Sequence, residues 1–193
     1  MKYTKIIIYT YLFTNMMFCK AQQTYPLNTD FTAIPDYSYL KDINNELDPY
    51  IGTYKATFNN NQITLLLTKE PHKLIELTKV KFYRDVLSVR YIVKNSAGIV
   101  LQDTQNMVLQ PNQSYFSIYS TMINPYHNLV MFNYRGTNCG IGWGSIYLKK
   151  LNATQISWEY KPNDRVIDSA TCPPNVDKTI YLPEAKDLIF TKQ

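Results

Sequence analysis

Apolar and polar residues alternate along most of the chain from Tyr50 to the C-terminus. A period of two places successive side chains on opposite faces of an extended strand, so this part of the chain predicts β-structure. Asn59–Asn61 and Asn95–Gly98 interrupt the alternation, and Asn and Gly favour turns because they tolerate left-handed backbone. The predicted strands are residues 53–58, 63–67, 87–94, 99–101, 115–121, 128–135, 142–149, 154–161 and 187–192.

Eight or nine short strands with hairpin-length connections predict an all-β fold. We expect an antiparallel up-and-down barrel, with a β-sandwich as the alternative. The 17 tyrosines agree with this fold class, because aromatic residues are enriched in strands. Before the strands, Tyr37, Leu40, Ile43 and Leu47 recur at helical spacing. They predict one short N-terminal helix, ending before Pro49 because a residue that precedes proline avoids the α region.

The N-terminus has the pattern of a secretory signal peptide over residues 1–21. Two lysines in Met1–Lys5 precede the uncharged apolar run Ile6–Phe18, and the small residue Ala21 ends the segment. The run of 13 residues is shorter than the roughly 20 that a membrane-spanning helix needs. We expect cleavage after Ala21 and no transmembrane span in the mature chain. Cys19 leaves open the alternative of a lipid anchor, as in a bacterial lipoprotein.

Cleavage would divide the chain into a signal peptide, an extended leader with the short helix over residues 22–49, and a barrel domain over residues 50–193. It would also reduce the 20 basic residues to 17 against 15 acidic residues. The mature chain would then be nearly neutral. No basic stripe is left that would predict nucleic-acid binding.

Cys139 and Cys172 would be the two cysteines of the mature chain. An even count in an oxidising compartment predicts a disulfide between them. Two free thiols or a metal pair are the alternatives, although no histidine lies nearby to complete a metal site.

The residues that could carry out catalysis form no recognisable motif. Gly140–Gly144 lacks the following helix of a phosphate-binding loop, so it predicts a tight corner between strands. His72 and His127 are expected in surface turns. The carboxylates of Glu159, Asp164 and Asp168 could form an acid–base pair. We expect no catalytic residue, metal or cofactor, and an enzyme stays an alternative to a non-enzymatic protein.

Aromatic side chains are the strongest candidates for ligand binding. Tyr54, Tyr91, Trp158 and Tyr160 fall on the apolar faces of separate strands, and Trp143 lies in the glycine-rich corner. In a hollow barrel these residues would line a pocket, and in a filled barrel they would form the core. Exposed aromatic rings could instead stack on sugars.

Two resemblances extend this interpretation. Asp48–Tyr54, which opens the first barrel strand after the expected helix, resembles the start of a calycin (lipocalin-like) barrel; Tyr54 stands where lipocalins have tryptophan, and Lys192 where they have arginine. Over nearly its whole length the chain also resembles a domain-of-unknown-function family of small exported bacterial proteins. The segments that carry this second resemblance are AQQTYPLNTDFTAI (21–34), ELDPYIGTYKA (46–56), TNCGIGWG (137–144), NATQISWEY (152–160) and DSATCPP (168–174). It implies a periplasmic or surface location and a β-rich fold, and it brings no catalytic residues.

Three hypotheses of function follow. The first is a binding barrel for a small apolar or sugar-like ligand or for a protein partner at the cell envelope. The second is an interaction protein with a filled core, acting through its outer surface and the loop over residues 162–178. The third is a hydrolase that uses Asp and Glu side chains.

Overall fold

The computed structural model describes residues 21–108, 115–167 and 172–193. Within these residues the chain forms eleven strands and four short 3₁₀ helices. The strands are β1 (Thr24–Pro26), β2 (Tyr39–Lys41), β3 (Gly52–Phe58), β4 (Asn61–Glu76), β5 (Lys81–Lys94), β6 (Val100–Asp103), β7 (Ile118–Asn124), β8 (Leu129–Tyr134), β9 (Gly144–Lys150), β10 (Gln155–Tyr160) and β11 (Ala185–Lys192). The 3₁₀ helices are Phe31–Ala33, Asp48–Tyr50, Pro125–His127 and Asn138–Gly140.

Eight of the strands close into an antiparallel barrel. Each of β3, β4, β5, β7, β8, β9, β10 and β11 pairs with the next, and β11 pairs with β3 to close the ring. This meander confirms the predicted all-β up-and-down barrel and excludes the sandwich. The pairing between β5 and β7 is short: the pair that joins these two strands is Ser88 with Tyr119. Here Leu87 donates its backbone N–H to the Ser120 hydroxyl, at 2.9 Å.

The prediction of a short N-terminal helix is wrong. Residues 37–47 form turns around β2, which pairs in parallel with β1 on one side and with β5 on the other. Leu40 and Leu47 are buried but Tyr37 and Ile43 are exposed, so the four apolar residues share no buried face. The backbone hydrogen bonds that a helix would make internally go instead to neighbouring strands, for example from the Tyr39 N–H to the Gln23 carbonyl. Tertiary pairing therefore overrides the local helical spacing.

The N-terminal segment packs outside the barrel against the extended ends of β4 and β5. Ile34, Leu40 and Phe82 form a small second core there, and the Phe31 ring stacks on Phe82 at 5.3 Å. β4 continues past the predicted end at residue 67 because a bulge between Glu70 and Lys73 accommodates Pro71, which cannot donate a ladder hydrogen bond.

The barrel interior is filled by side chains. Along β8 the residues alternate between half-buried and buried, as expected for a strand with one face toward the core. The inward residues include Leu65, Val89, Phe132, Ile146, Leu148, Ile156 and Phe190, each almost completely buried.

Candidate functional site

Four of the five aromatic residues singled out in the sequence lie in the barrel core. Tyr54, Tyr91, Trp158 and Tyr160 leave at most 1% of their surface accessible to water. Trp143 differs, because it leaves 44% exposed at the corner between β8 and β9. Trp143 is therefore the member of the set that faces an accessible hollow.

The polar atoms of Tyr91, Trp158 and Tyr160 already have partners within the protein. The Trp158 indole N–H donates to the Pro183 carbonyl at 2.9 Å, and the Tyr160 hydroxyl donates to the Gly142 carbonyl. The Tyr91 hydroxyl donates to Gln102 Oε1 at 2.5 Å. Burial raises the pKa of Tyr91 and Tyr160, so both phenols stay neutral hydrogen-bond donors.

A disulfide links the corner to the long loop between β10 and β11. Cys139 and Cys172 are bonded, with their Cα atoms 5.5 Å apart, which confirms the predicted pairing. The cross-link closes a separation of 33 residues, and the chain-entropy model assigns such a loop about 3–4 kcal/mol of stabilisation. The amide of Asn138 also donates to the Asp177 carbonyl at 2.7 Å, and the Asn163 N–H donates to the Trp143 carbonyl at 2.9 Å.

Glycines allow this corner to pack closely. A Cβ on Gly136 would lie 2.5 Å from the backbone carbon of Gly140, and one on Gly140 would lie 2.3 Å from Nη1 of Arg165. Both glycines also have positive φ values, of 84° and 68°. The glycine-rich segment is thus a tight corner that brings the Arg165 guanidinium against the backbone.

The corner, β8 and the long loop together enclose a cleft of about 540 Å³. We call it the Trp143 cleft. Its walls are formed by Tyr115, Asn133, Tyr134, Arg135, Trp143, Asp164, Arg165 and Val166.

Polar groups that are free to bind a ligand surround the Trp143 ring. Among the ion pairs of the described residues, none involves Arg135, Asp164 or Arg165. The two guanidinium groups offer several N–H donors in fixed planes, Asp164 offers acceptors, and the Asn133 amide offers both. An aromatic face flanked by donors and acceptors can hold a flat or ring-shaped polar ligand.

Of the other candidates that the structure describes, Asp164 lines this cleft and the rest do not. His72 stacks on the Tyr83 ring at 4.0 Å in the β4 bulge, and His127 lies in the exposed 3₁₀ turn at Pro125–His127. Glu159 is exposed on β10, Asp164 lines the cleft, and Asp168 and Cys19 fall outside the described residues. In the described ranges, no three His, Cys, Asp or Glu side chains are grouped as metal ligands would be.

Sequence reasoning missed Asn133, Arg135 and Arg165. Asn133 lies at an outward-facing position of β8 and Arg135 directly follows that strand, and polar residues at such positions are ordinarily solvated. Arg165 lies in an irregular loop. The signals toward this site were Trp143 among the glycines and the candidate carboxylate of Asp164.

No curated protein and no solved structure matches the chain. None of the helices in the part of the chain that the structure describes is long and apolar enough to cross a membrane. A family model does match, over residues 1–193. The chain therefore belongs to the family of unknown function DUF6705.

Proposed function

We propose that this chain is an exported, non-enzymatic binding protein that holds a sugar-like ligand in the Trp143 cleft. The observation that carries the proposal is a half-exposed tryptophan surrounded by unpaired polar side chains in a hollow of about 540 Å³. This volume falls within the range of known ligand pockets, roughly 300–1,000 Å³. The barrel interior is packed around Tyr54 and Trp158, so the binding function is assigned to the cleft.

The lining favours a sugar over an apolar ligand. Arg135, Asp164 and Arg165 would lose hydration without compensation if an apolar molecule covered them. A sugar offers hydroxyl groups to these side chains and an apolar ring face to Trp143. Both classes of contact are thereby satisfied in one orientation.

Export is supported by the signal-like pattern of Met1–Ala21 and by the Cys139–Cys172 disulfide, because disulfides persist in oxidising compartments. We propose a periplasmic, cell-surface or secreted location. Mass spectrometry of the protein recovered from bacterial fractions tests this. A mature N-terminus at Gln22 is expected, an acylated N-terminal Cys19 would indicate a lipoprotein, and an intact Met1 in the cytoplasmic fraction would contradict export.

A relationship to calycins is the finer proposal for the fold. It is supported by a contact between the first and last barrel strands, at the two positions that the sequence resemblance compares with lipocalins. Lys192 lies over the Tyr54 ring, with Nζ 5.8 Å from its centroid, and its side chain fills the space beside Gly52. Strand-by-strand superposition on calycin barrels tests the relationship, which fails if β3 does not align with their first strand.

A protein partner is the second candidate ligand. Val166, in the predicted interaction loop, leaves 95% of its surface exposed at the rim of the Trp143 cleft. An apolar side chain in this position favours a contact with another protein surface.

The experiment for the sugar proposal compares two exposed aromatic residues. Trp143→Ala removes the ring of the cleft, whereas Tyr126→Ala removes a ring that is 95% exposed at a turn of the described structure and does not line the cleft. Binding of a panel of neutral and acidic oligosaccharides is measured by calorimetry and by saturation-transfer NMR. We expect Trp143→Ala to weaken binding at least about tenfold, the equivalent of 1.4 kcal/mol, and Tyr126→Ala to leave it unchanged.

Two outcomes would contradict the proposal. If no oligosaccharide of the panel binds the wild-type protein, the sugar class is wrong. If a sugar binds equally well to wild type and to Trp143→Ala, the ligand occupies another site. In the first case, a Val166→Asp variant tested for loss of a native protein partner examines the second candidate.

A further inference from the structure

Arg84 is a buried cation without a counter-charge. It lies on β5, leaves 7% of its surface exposed, and takes part in no ion pair or side-chain hydrogen bond with another described residue. Its Nε atom is buried and has no hydrogen-bond partner. Loss of hydration on burial lowers the pKa of Arg84 to about 10, so the side chain is still charged at neutral pH.

Such an arrangement is unusual because burial removes the water that stabilises a charge. Buried charged groups are ordinarily paired, since the loss of hydration is several kcal/mol per ion. Either the unpaired cation is tolerated as a defect, or an anion that is not part of the chain completes it.

A small hollow beside Arg84 has room for such an anion. It measures about 120 Å³ and lies between residues of β5 and β7, beside the Ser88–Tyr119 pair that joins the two strands. We call it the Arg84 pocket. Its walls are formed by Phe31, Ile75, Leu77, Phe82, Arg84, Tyr119, Ser120, Thr121, Asn133 and Arg135.

The walls of the pocket combine two kinds of side chain. Phe31, Ile75 and Phe82 are apolar and belong to the small second core. Besides Arg84, Arg135 adds a second positive charge and Asn133 a side-chain amide. No Asp or Glu lines the pocket, so its charge is positive.

The size and the walls select the chemical class of the ligand. A volume of about 120 Å³ is well below the roughly 300–1,000 Å³ of pockets for drug-sized ligands, so only a small ligand fits inside. A carboxylate matches the planar guanidinium through two parallel hydrogen bonds. Phosphate would place further charged oxygens against Phe31 and Phe82, whereas a short hydrocarbon end would pack there favourably.

We propose that the Arg84 pocket binds a small monocarboxylate, whose carboxylate pairs with the Arg84 guanidinium and whose short hydrocarbon end lies against Phe31 and Phe82. This site is separate from the sugar proposal and does not depend on it. Asn133 and Arg135 line both hollows, but neither Trp143 nor Arg165 reaches the Arg84 pocket.

The test uses butyrate as the probe and its uncharged analogue butyramide as the chemical control. Both are titrated into the chain without its predicted signal peptide, residues 22–193, at constant ionic strength. Binding is followed by calorimetry and by backbone amide NMR shifts. We expect saturable butyrate binding with the largest shifts at Phe31, Phe82 and Arg84, and at least about tenfold weaker binding of butyramide. Acetate and hexanoate bracket the length of the hydrocarbon end.

Three variants test whether the Arg84 guanidinium is responsible for butyrate binding. Arg84→Met preserves an unbranched side chain but removes the charge, and is expected to weaken butyrate binding at least about tenfold. Arg84→Lys keeps the charge without the planar fork, and its affinity for butyrate is expected to lie between those of Arg84→Met and wild type. Arg165→Met alters only the Trp143 cleft and is expected to bind butyrate as wild type does.

The proposal is overturned if butyrate does not bind, or if Arg84→Met binds it as well as wild type. Phosphate that binds as tightly as butyrate would show a general anion site and would overturn the carboxylate assignment. Arg84→Lys covers the case in which Arg84→Met does not fold, because retained wild-type affinity in this variant would also contradict pairing through the guanidinium fork. Loss of sugar binding in Trp143→Ala with intact butyrate binding would separate the two sites.

Discussion

Arg84 and Asp85 are consecutive residues of β5, both almost completely buried and of opposite charge, yet their surroundings differ completely. Asp85 accepts hydrogen bonds from the Tyr39 hydroxyl at 2.5 Å, the Asp42 N–H at 2.9 Å and the His72 N–H at 3.0 Å. Arg84 has no such partner among the described residues. Consecutive side chains of a strand point to opposite faces, so the two charges enter two different environments.

The Asp85 side is a structural polar network. Asp42 next to it accepts the Glu46 N–H at 2.8 Å and forms an ion pair with Lys69 at 2.8 Å. These contacts tie the N-terminal segment around β2 to the bulged end of β4. The cluster is satisfied from within the chain, and its role is to hold that segment in place.

The contrast shows how a buried charge can be interpreted. A charge with all its hydrogen bonds made within the chain stabilises the fold, and removing it leaves its former partners unsatisfied. Removal of a charge with no partner breaks no such hydrogen bond. The hydrogen bonds of Asp85 therefore indicate a structural role, and the missing partner of Arg84 indicates a binding site.

The largest effect is expected from Asp85→Asn. The substitution removes the negative charge and one of the two equivalent acceptors, and leaves donors of Tyr39, Asp42 or His72 without a matched acceptor. We expect the free energy of unfolding to fall by about 3 kcal/mol. Urea denaturation measures this, with Glu159→Gln as the control because Glu159 is exposed and is expected to be neutral. A change below about 0.5 kcal/mol for Asp85→Asn would contradict a structural role for the network.

A smaller effect of opposite sign is expected from Arg84→Met in the ligand-free protein. An unpaired buried guanidinium is replaced by an apolar chain of similar length, so the penalty for burying a charge disappears. We expect the free energy of unfolding to rise by about 1 kcal/mol, against a change within about 0.5 kcal/mol for Lys186→Met on the exposed part of β11. Destabilisation comparable to that of Asp85→Asn would show that Arg84 has a structural role after all.

The smallest effect concerns pH. Burial alone would raise the pKa of Asp85, but the hydrogen bonds from Tyr39, Asp42 and His72 outweigh it and lower the pKa below 3.8. A lowered native pKa contributes stability above the unfolded value of about 3.9, and this contribution is lost as the pH falls through the native pKa. We expect the difference in unfolding free energy between wild type and Asp85→Asn to be constant from pH 7 to about 5 and to shrink below about pH 4. A difference that grows on acidification would contradict the assigned direction.

Much of the barrel could be predicted because its inner and outer faces alternate along each strand. Every predicted strand from residue 53 onward corresponds to an observed one, with bounds that differ most in β4 and β5. Those two strands continue outside the barrel, where the bulge at Pro71 and His72 breaks the alternation. The helix was wrong for a related reason: the spacing of Leu40 and Leu47 carries no information about which strand their backbone will pair with.

The candidate sites were predicted less well. Trp143 and the Cys139–Cys172 pair could be singled out from residue type and local glycine content. Arg84, Arg135 and Arg165 could not, because arginine in a strand or loop is ordinarily solvated. Nothing local distinguishes a buried Arg84, or an exposed arginine that lines a cleft, from other arginines. Their environments depend on the short pairing between β5 and β7 and on the long loop that the disulfide links to the corner.

The sequence by itself determined the period-two pattern, the inward-facing aromatic residues and the pair of cysteines, since each of these depends on neighbours in the chain or on residue chemistry. The tertiary structure decided that the barrel closes through β3 and β11, that its interior is filled, and that Trp143 is exposed beside two arginines. It also decided that Arg84 is buried without a partner while Asp85 has three. These outcomes depend on contacts between segments far apart in the chain and on the volume left between them, which no local pattern encodes.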